Sequence, residues 1–154
     1  MSRANTKILH KETIVNAPRS DVWLRWTTHE GLKTFIGRDN RITLKPGGPF
    51  EIYFNMDAPE GSRGAEGCRV LSFLPERMLS FSWNAPPTIP EIRNQDHHTW
   101  VVVQLSDSED GKTIVSLDHL GWLDGEKWDE TYDYFDHAWG HVLSSLEDAL
   151  IGER

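Results

Sequence analysis

Thr113, Val115, Leu117 and His119 share one face of a strand, which turns His119 inward. An inward histidine can orient a polar ligand group or move a proton. It can equally be a buried ring bonded to a neighbour. Proton transfer calls for a partner carboxylate, and the spacing supplies none. Asp118 points to the opposite face, and Asp136 sits at the margin of an apolar helical stripe. Tyr132 is the second catalytic candidate, because it adds a hydroxyl to a large apolar ring.

Asp133, His137 and His141 are spaced by four residues, as metal ligands on a helix would be. At about 100° per residue they lie roughly 120–160° from Trp139, on the solvent side, so no metal site is expected. Cys68 is the single cysteine; it permits no intrachain disulfide and no cysteine-based zinc site. There is no phosphate loop, dinucleotide fingerprint or nucleophile elbow, so no cofactor is expected.

Seven Trp, six Phe and three Tyr in 154 residues require either a bulky core or an aromatic cavity. Trp23, Phe35, Phe50, Phe54, Phe81, Trp83, Tyr132, Phe135 and Trp139, with His119, are the expected lining of such a cavity, a few hundred Å³ in volume. Ordinary close packing is the competing reading, since rings at these spacings usually form core.

The elements that must position these residues follow from periodicity. Residues 8–15 read as a first strand, and Asn16-Ala17-Pro18 opens a helix carrying Val22, Trp23 and Trp26. Thr27 and Glu30 have capping-box spacing, so a second short helix with Leu32, Phe35 and Ile36 should start there. From Ile42 the period becomes two, and six strands follow in hairpin succession. Residues 55–66 read as a mobile hairpin loop. The proline-rich stretch 84–96 reads as a lid or a stiffened loop. A final helix at about 126–151 places Trp128, Tyr132, Phe135, Trp139, Val142, Leu143, Leu146 and Leu150 within about 60° of Trp139. An α+β fold is expected: a curved antiparallel sheet of six to seven strands wrapped on a long C-terminal helix, with two short helices between strands 1 and 2. Residues 1–154 form one domain in this reading, with a core at about 8–151.

In order and spacing these residues resemble the START-like helix-grip (SRPBCC) superfamily, in the branch named after heat-shock-protein-90 ATPase activator homologues. The residues that carry the likeness begin with Ala17-Pro18, Val22-Trp23, Thr28 to Leu32 and Pro46-Gly47-Gly48 before Phe50. They continue through Gly67, Pro75, Leu79, Trp83, Gly111 to Thr113, Val115, Leu117, His119 and Gly121, and end with Trp139, Leu143 and Leu146. The family usually has Trp where this chain has Phe35. The chaperone-activating proteins also carry a second domain, for which 154 residues leave no room, and this weighs against a chaperone role.

The resemblance implies a lipophilic pocket and a small, mostly hydrophobic ligand. Two alternatives stand beside it. One is a protein-interaction or chaperone-ATPase-activator-like module, including a homodimer through outward Trp100 and Val102. The other is a cyclase- or dehydratase-type enzyme using His119 or Tyr132. A net charge of −8 argues against nucleic acid and anionic membrane as partners. The longest apolar runs are far too short for membrane insertion. The first seven residues have no signal-peptide core, so a cytoplasmic protein is expected.

Overall fold

A computed structural model of the chain describes residues 4–151. Strand β1 (Leu9–Val15) leads into α1 (Arg19–Thr27) and α2 (His29–Lys33), followed by β2 (Asp39–Ile42), β3 (Phe50–Tyr53), β4 (Val70–Leu74) and β5 (Met78–Trp83). A short helix α3 (Pro90–Arg93) precedes β6 (Thr99–Asp107), a 3-10 turn at Glu109–Gly111 and β7 (Thr113–Leu120), and α4 (Glu126–Ile151) ends the described chain.

All strand pairs are antiparallel. Five strands form one sheet in the order β1-β7-β6-β5-β4, and β2-β3 form a second. The expected continuous sheet of six to seven strands is thus seven strands in two sheets. The break has a local cause. The fourth strand starts only at Val70, and an irregularity follows between Val70 and Ser72. Only the isolated bridge Pro49–Arg69 and hydrogen bonds such as Phe50 N to Cys68 O (2.8 Å) tie β3 to that edge.

Inward positions alternate along β7, where Thr113, Val115, Leu117 and His119 are buried and their neighbours half-exposed. Register pairs His119 with Val101, Leu117 with Val103 and Val115 with Leu105, so two strands deliver one continuous apolar face. α4 lies over it with Trp128, Phe135, Trp139, Leu143, Leu146 and Leu150 buried, while Tyr132 and Val142 are only partly covered.

Two local expectations are corrected. Thr28, not Thr27, caps α2: its Oγ1 accepts from Gly31 N at 3.0 Å, while the Thr27 hydroxyl is buried and donates to Trp23 O. The stretch 84–96 is not all loop. Pro90 opens α3, and Ala85, Ile89 and Ile92 are buried, which accounts for its apolar content.

A candidate ligand cavity on the flank of the C-terminal helix

The core rings fall into two groups. One group is close-packed. Phe50 and Phe81 stack at 4.1 Å, Phe81 meets Trp83 edge-on at 5.4 Å, and Trp26 meets Phe35 edge-on at 4.9 Å. Trp23 rests on Phe73 at 6.4 Å. At the far end Tyr132 packs on Trp122 at 5.1 Å, with the Lys7 ammonium 4.4 Å above its ring.

The second group borders a cavity of about 630 Å³, within the range of small-molecule sites. Trp83, Phe135 and Trp139 line it, with Trp83 and Trp139 5.3 Å apart and Phe135 stacked at 6.3 Å from Trp139. The flank of α4 adds Tyr134, Ala138, His141 and Val142. Loop residues Phe54, Asn55, Ala58, Ser62, Arg63 and Gly64 form another side, and Asn84, Pro86, Pro87 and Thr88 a third. Phe54, Asn55, Tyr134 and His141 are exposed, so these residues form an open rim.

Of the ten residues expected to line a pocket, the structure brings Phe54, Trp83, Phe135 and Trp139 to this cavity. Trp23, Phe35, Phe50, Phe81, His119 and Tyr132 do not border it. Tyr134, Ala138 and His141 line it from outside the apolar stripe of α4, and Ile36 and Arg63 line it from elsewhere in the chain. The reason is geometric: Ala138 lies about 100° round the helix from Trp139, on a flank the two loops wrap.

Those loops are held together by one ion pair. Arg93 Nη2 reaches Glu66 Oε1 at 3.2 Å, with the two side chains 9% and 20% exposed. The other guanidinium contacts run to Ala85 O and Gly61 O, and Glu66 also accepts from the backbone N–H groups of Gly61, Arg63 and Gly64. Burial alone would raise the Glu66 carboxyl, but those backbone N–H groups outweigh it and hold it below its ordinary range. The segment read as a mobile hairpin is therefore cross-tied to α3. At its end Gly64 lies against β3, where a Cβ would meet Ile52 O at 2.2 Å.

His119 is wholly buried under α4. Its Nδ1 accepts from Trp139 Nε1 at 3.0 Å, so Nε2 carries the proton and donates to Thr99 Oγ1 at 2.7 Å. Burial pushes its pKa down to about 3, which leaves it neutral. The neighbouring carboxylates are engaged elsewhere: Asp118 holds His10 at 2.6 Å and Asp136 holds Lys11 at 2.8 Å. His119 thus has no carboxylate partner among the described residues and no contact with solvent, and it anchors the cavity-lining Trp139. Trp122, whose Nε1 donates to the His119 carbonyl, completes this buried cluster and was absent from the expected aromatic set.

Cys68 is also buried, and burial raises its thiol to about 12. His97 donates to Gly121 O at 2.6 Å and packs edge-on against Trp128. Among the described residues no three His, Cys, Asp or Glu are placed to hold a metal ion, and no helix is long and apolar enough to cross a membrane.

A long helix held against an antiparallel sheet, with a cavity on the helix flank, is the helix-grip architecture of ligand-binding and Aha1-like modules. Residues 16–150 match the family described as Activator of Hsp90 ATPase homolog 1-like protein, and the chain belongs to that family. Solved structures agree on the fold. Protein MLL2253 from Mesorhizobium loti is 20% identical, with a TM-score of 0.73 over 94% of this chain and 96% of that one. The Aha1 dimer from Colwellia psychrerythraea is 21% identical, with a TM-score of 0.68 over 94% and 96%. Protein BH1534 from Bacillus halodurans is 25% identical, with a TM-score of 0.68 over 97% and 99%. A comparison with curated proteins found no match.

Proposed function

We propose that this chain is a binding module holding a small, mostly hydrophobic molecule between α4 and the loops at residues 54–64 and 84–88. The observation that carries this is the cavity of about 630 Å³ lined by Trp83, Phe135 and Trp139. A ligand that buries about 300 Å² of apolar surface there gains roughly 7 kcal/mol before ordering costs.

The test is titration with a neutral apolar fluorophore, N-phenyl-1-naphthylamine, against the chain and an Ala138→Trp variant. Ala138 lines the cavity from a helix interior, so an indole there fills the space without breaking backbone hydrogen bonds. Saturable binding by the chain and at least a tenfold loss in the variant is expected. Equal affinities, with near-UV circular dichroism showing the variant folded, would place the binding elsewhere.

A cyclase- or dehydratase-type activity draws no support from this geometry, because neither His119 nor Tyr132 borders the cavity. A protein-interaction module is the second reading, and family membership favours it. The Colwellia relative is a dimer. In this chain Trp100 and Val102 are half-buried on the outer sheet face, and the Trp100 ring lies over Gly121, where a Cβ would meet it at 2.5 Å. Sedimentation velocity of the chain and of Val102→Glu checks this reading. A dimer that the substitution dissociates would support it, and a monomer throughout would refute it for the homodimer.

A further inference from the structure

Acidic residues number 24 of 154, so roughly three would be expected among the 18 that line the cavity. None is there. The one side chain of fixed charge in the lining is Arg63, a cation in a chain whose net charge is −8. Arg63 is partly buried, and its one side-chain hydrogen bond among the described residues runs from Nε to Ala58 O at 2.8 Å. No carboxylate of the described residues lies within ion-pair distance of it. Glu66, three residues on, is committed to Arg93 and to backbone N–H groups. The two loop arginines therefore differ. Arg93 is neutralised and structural, whereas among the described residues the terminal nitrogens of Arg63 have no acceptor, and they lie beside an apolar cavity. A partly desolvated, uncompensated guanidinium is costly unless something else supplies the anion.

We infer that the ligand is an amphipathic carboxylate, with its apolar body against Trp83, Phe135 and Trp139 and its head on the Arg63 guanidinium. The neutral donors Asn55, Ser62 and Thr88 belong to the same rim and repel no anion. A guanidinium is suited to the head because its planar fork accommodates both carboxylate oxygens. The inference rests on the cavity reading above and adds the charge of the ligand to it.

The experiment compares dodecanoate with dodecanol, two probes of one chain length that differ in head charge, by isothermal titration calorimetry below their aggregation concentrations. The chain should bind dodecanoate on the order of tenfold or more tightly than dodecanol, as a charge-assisted hydrogen bond warrants. Arg63→Gln should abolish that preference, bringing dodecanoate to the affinity the same variant shows for dodecanol, whose saturable binding reports the cavity intact. Arg63→Lys should keep most of the preference, since it retains the charge but not the fork. Arg63→Glu should reverse it toward dodecylammonium. Equal binding of the two probes by the chain, or a preference that survives Arg63→Gln, would overturn the inference and leave the cavity reading standing. Binding of neither probe would overturn both.

Discussion

Lowering the pH from 7 to 5 should destabilise the fold through His119 in particular. In the unfolded chain a histidine titrates near 6.5, whereas burial holds His119 at about 3. Between those values the unfolded state binds the extra proton, so stability rises with pH and is lost as pH falls below about 6.5. At pH 5 the unfolded side chain is almost fully protonated and the folded one almost fully neutral. The loss relative to pH 7 is then about 2 kcal/mol. That figure depends on the unfolded pKa alone, provided the folded value stays well below 5. The six other histidines and the carboxylates also contribute to the pH dependence, so a variant must isolate the effect. His119→Gln retains a donor and an acceptor but does not titrate. Urea unfolding at both pH values should show the variant less stable at pH 7 yet missing about 2 kcal/mol of the wild-type loss on acidification. Identical losses in the two proteins would mean that His119 charges inside the fold, and would refute its reading as a buried, neutral support for Trp139.

Trp139→Ala should cost about 3–5 kcal/mol in chemical unfolding and weaken N-phenyl-1-naphthylamine binding together, because the same ring packs the core and lines the cavity. Glu66→Gln removes the charge partner of Arg93 and should cost on the order of 2–3 kcal/mol, with faster proteolytic cleavage in residues 55–66 as its local signature. Cys68 should resist a thiol reagent at pH 8 in the folded protein and react fully in denaturant, since burial holds it protonated.

How much of this was legible in the sequence depends on how local the cause is. α4 reads directly because its apolar residues recur at helical spacing over 26 residues, and the inward face of β7 reads from strict alternation. The inward placement of His119 follows from the same alternation, but its partners do not: Trp139 and Thr99 each lie 20 residues away along the chain. Capping by Thr28 rather than Thr27 is a one-residue choice, decided by which hydroxyl α1 buries. The cavity is only partly legible for a related reason. A helical stripe marks what faces the sheet, and Tyr132 belongs to that stripe. Tyr134, Ala138 and His141 face the loops, whose path depends on the Glu66–Arg93 pair across 27 residues. Composition suggests mobility for such a loop, since Gly, Pro, Asn, Asp and Ser supply six of the twelve residues 55–66. A long-range ion pair leaves no local pattern by which to correct that reading.

The claim that the α4 flank holds an apolar molecule is tested most directly by native mass spectrometry. The chain and its Ala138→Trp variant would be purified from one host and each incubated with N-phenyl-1-naphthylamine. A stoichiometric adduct on the chain, released on denaturation and absent from the folded variant, is expected. A bare chain, or the same adduct on both proteins, would contradict it.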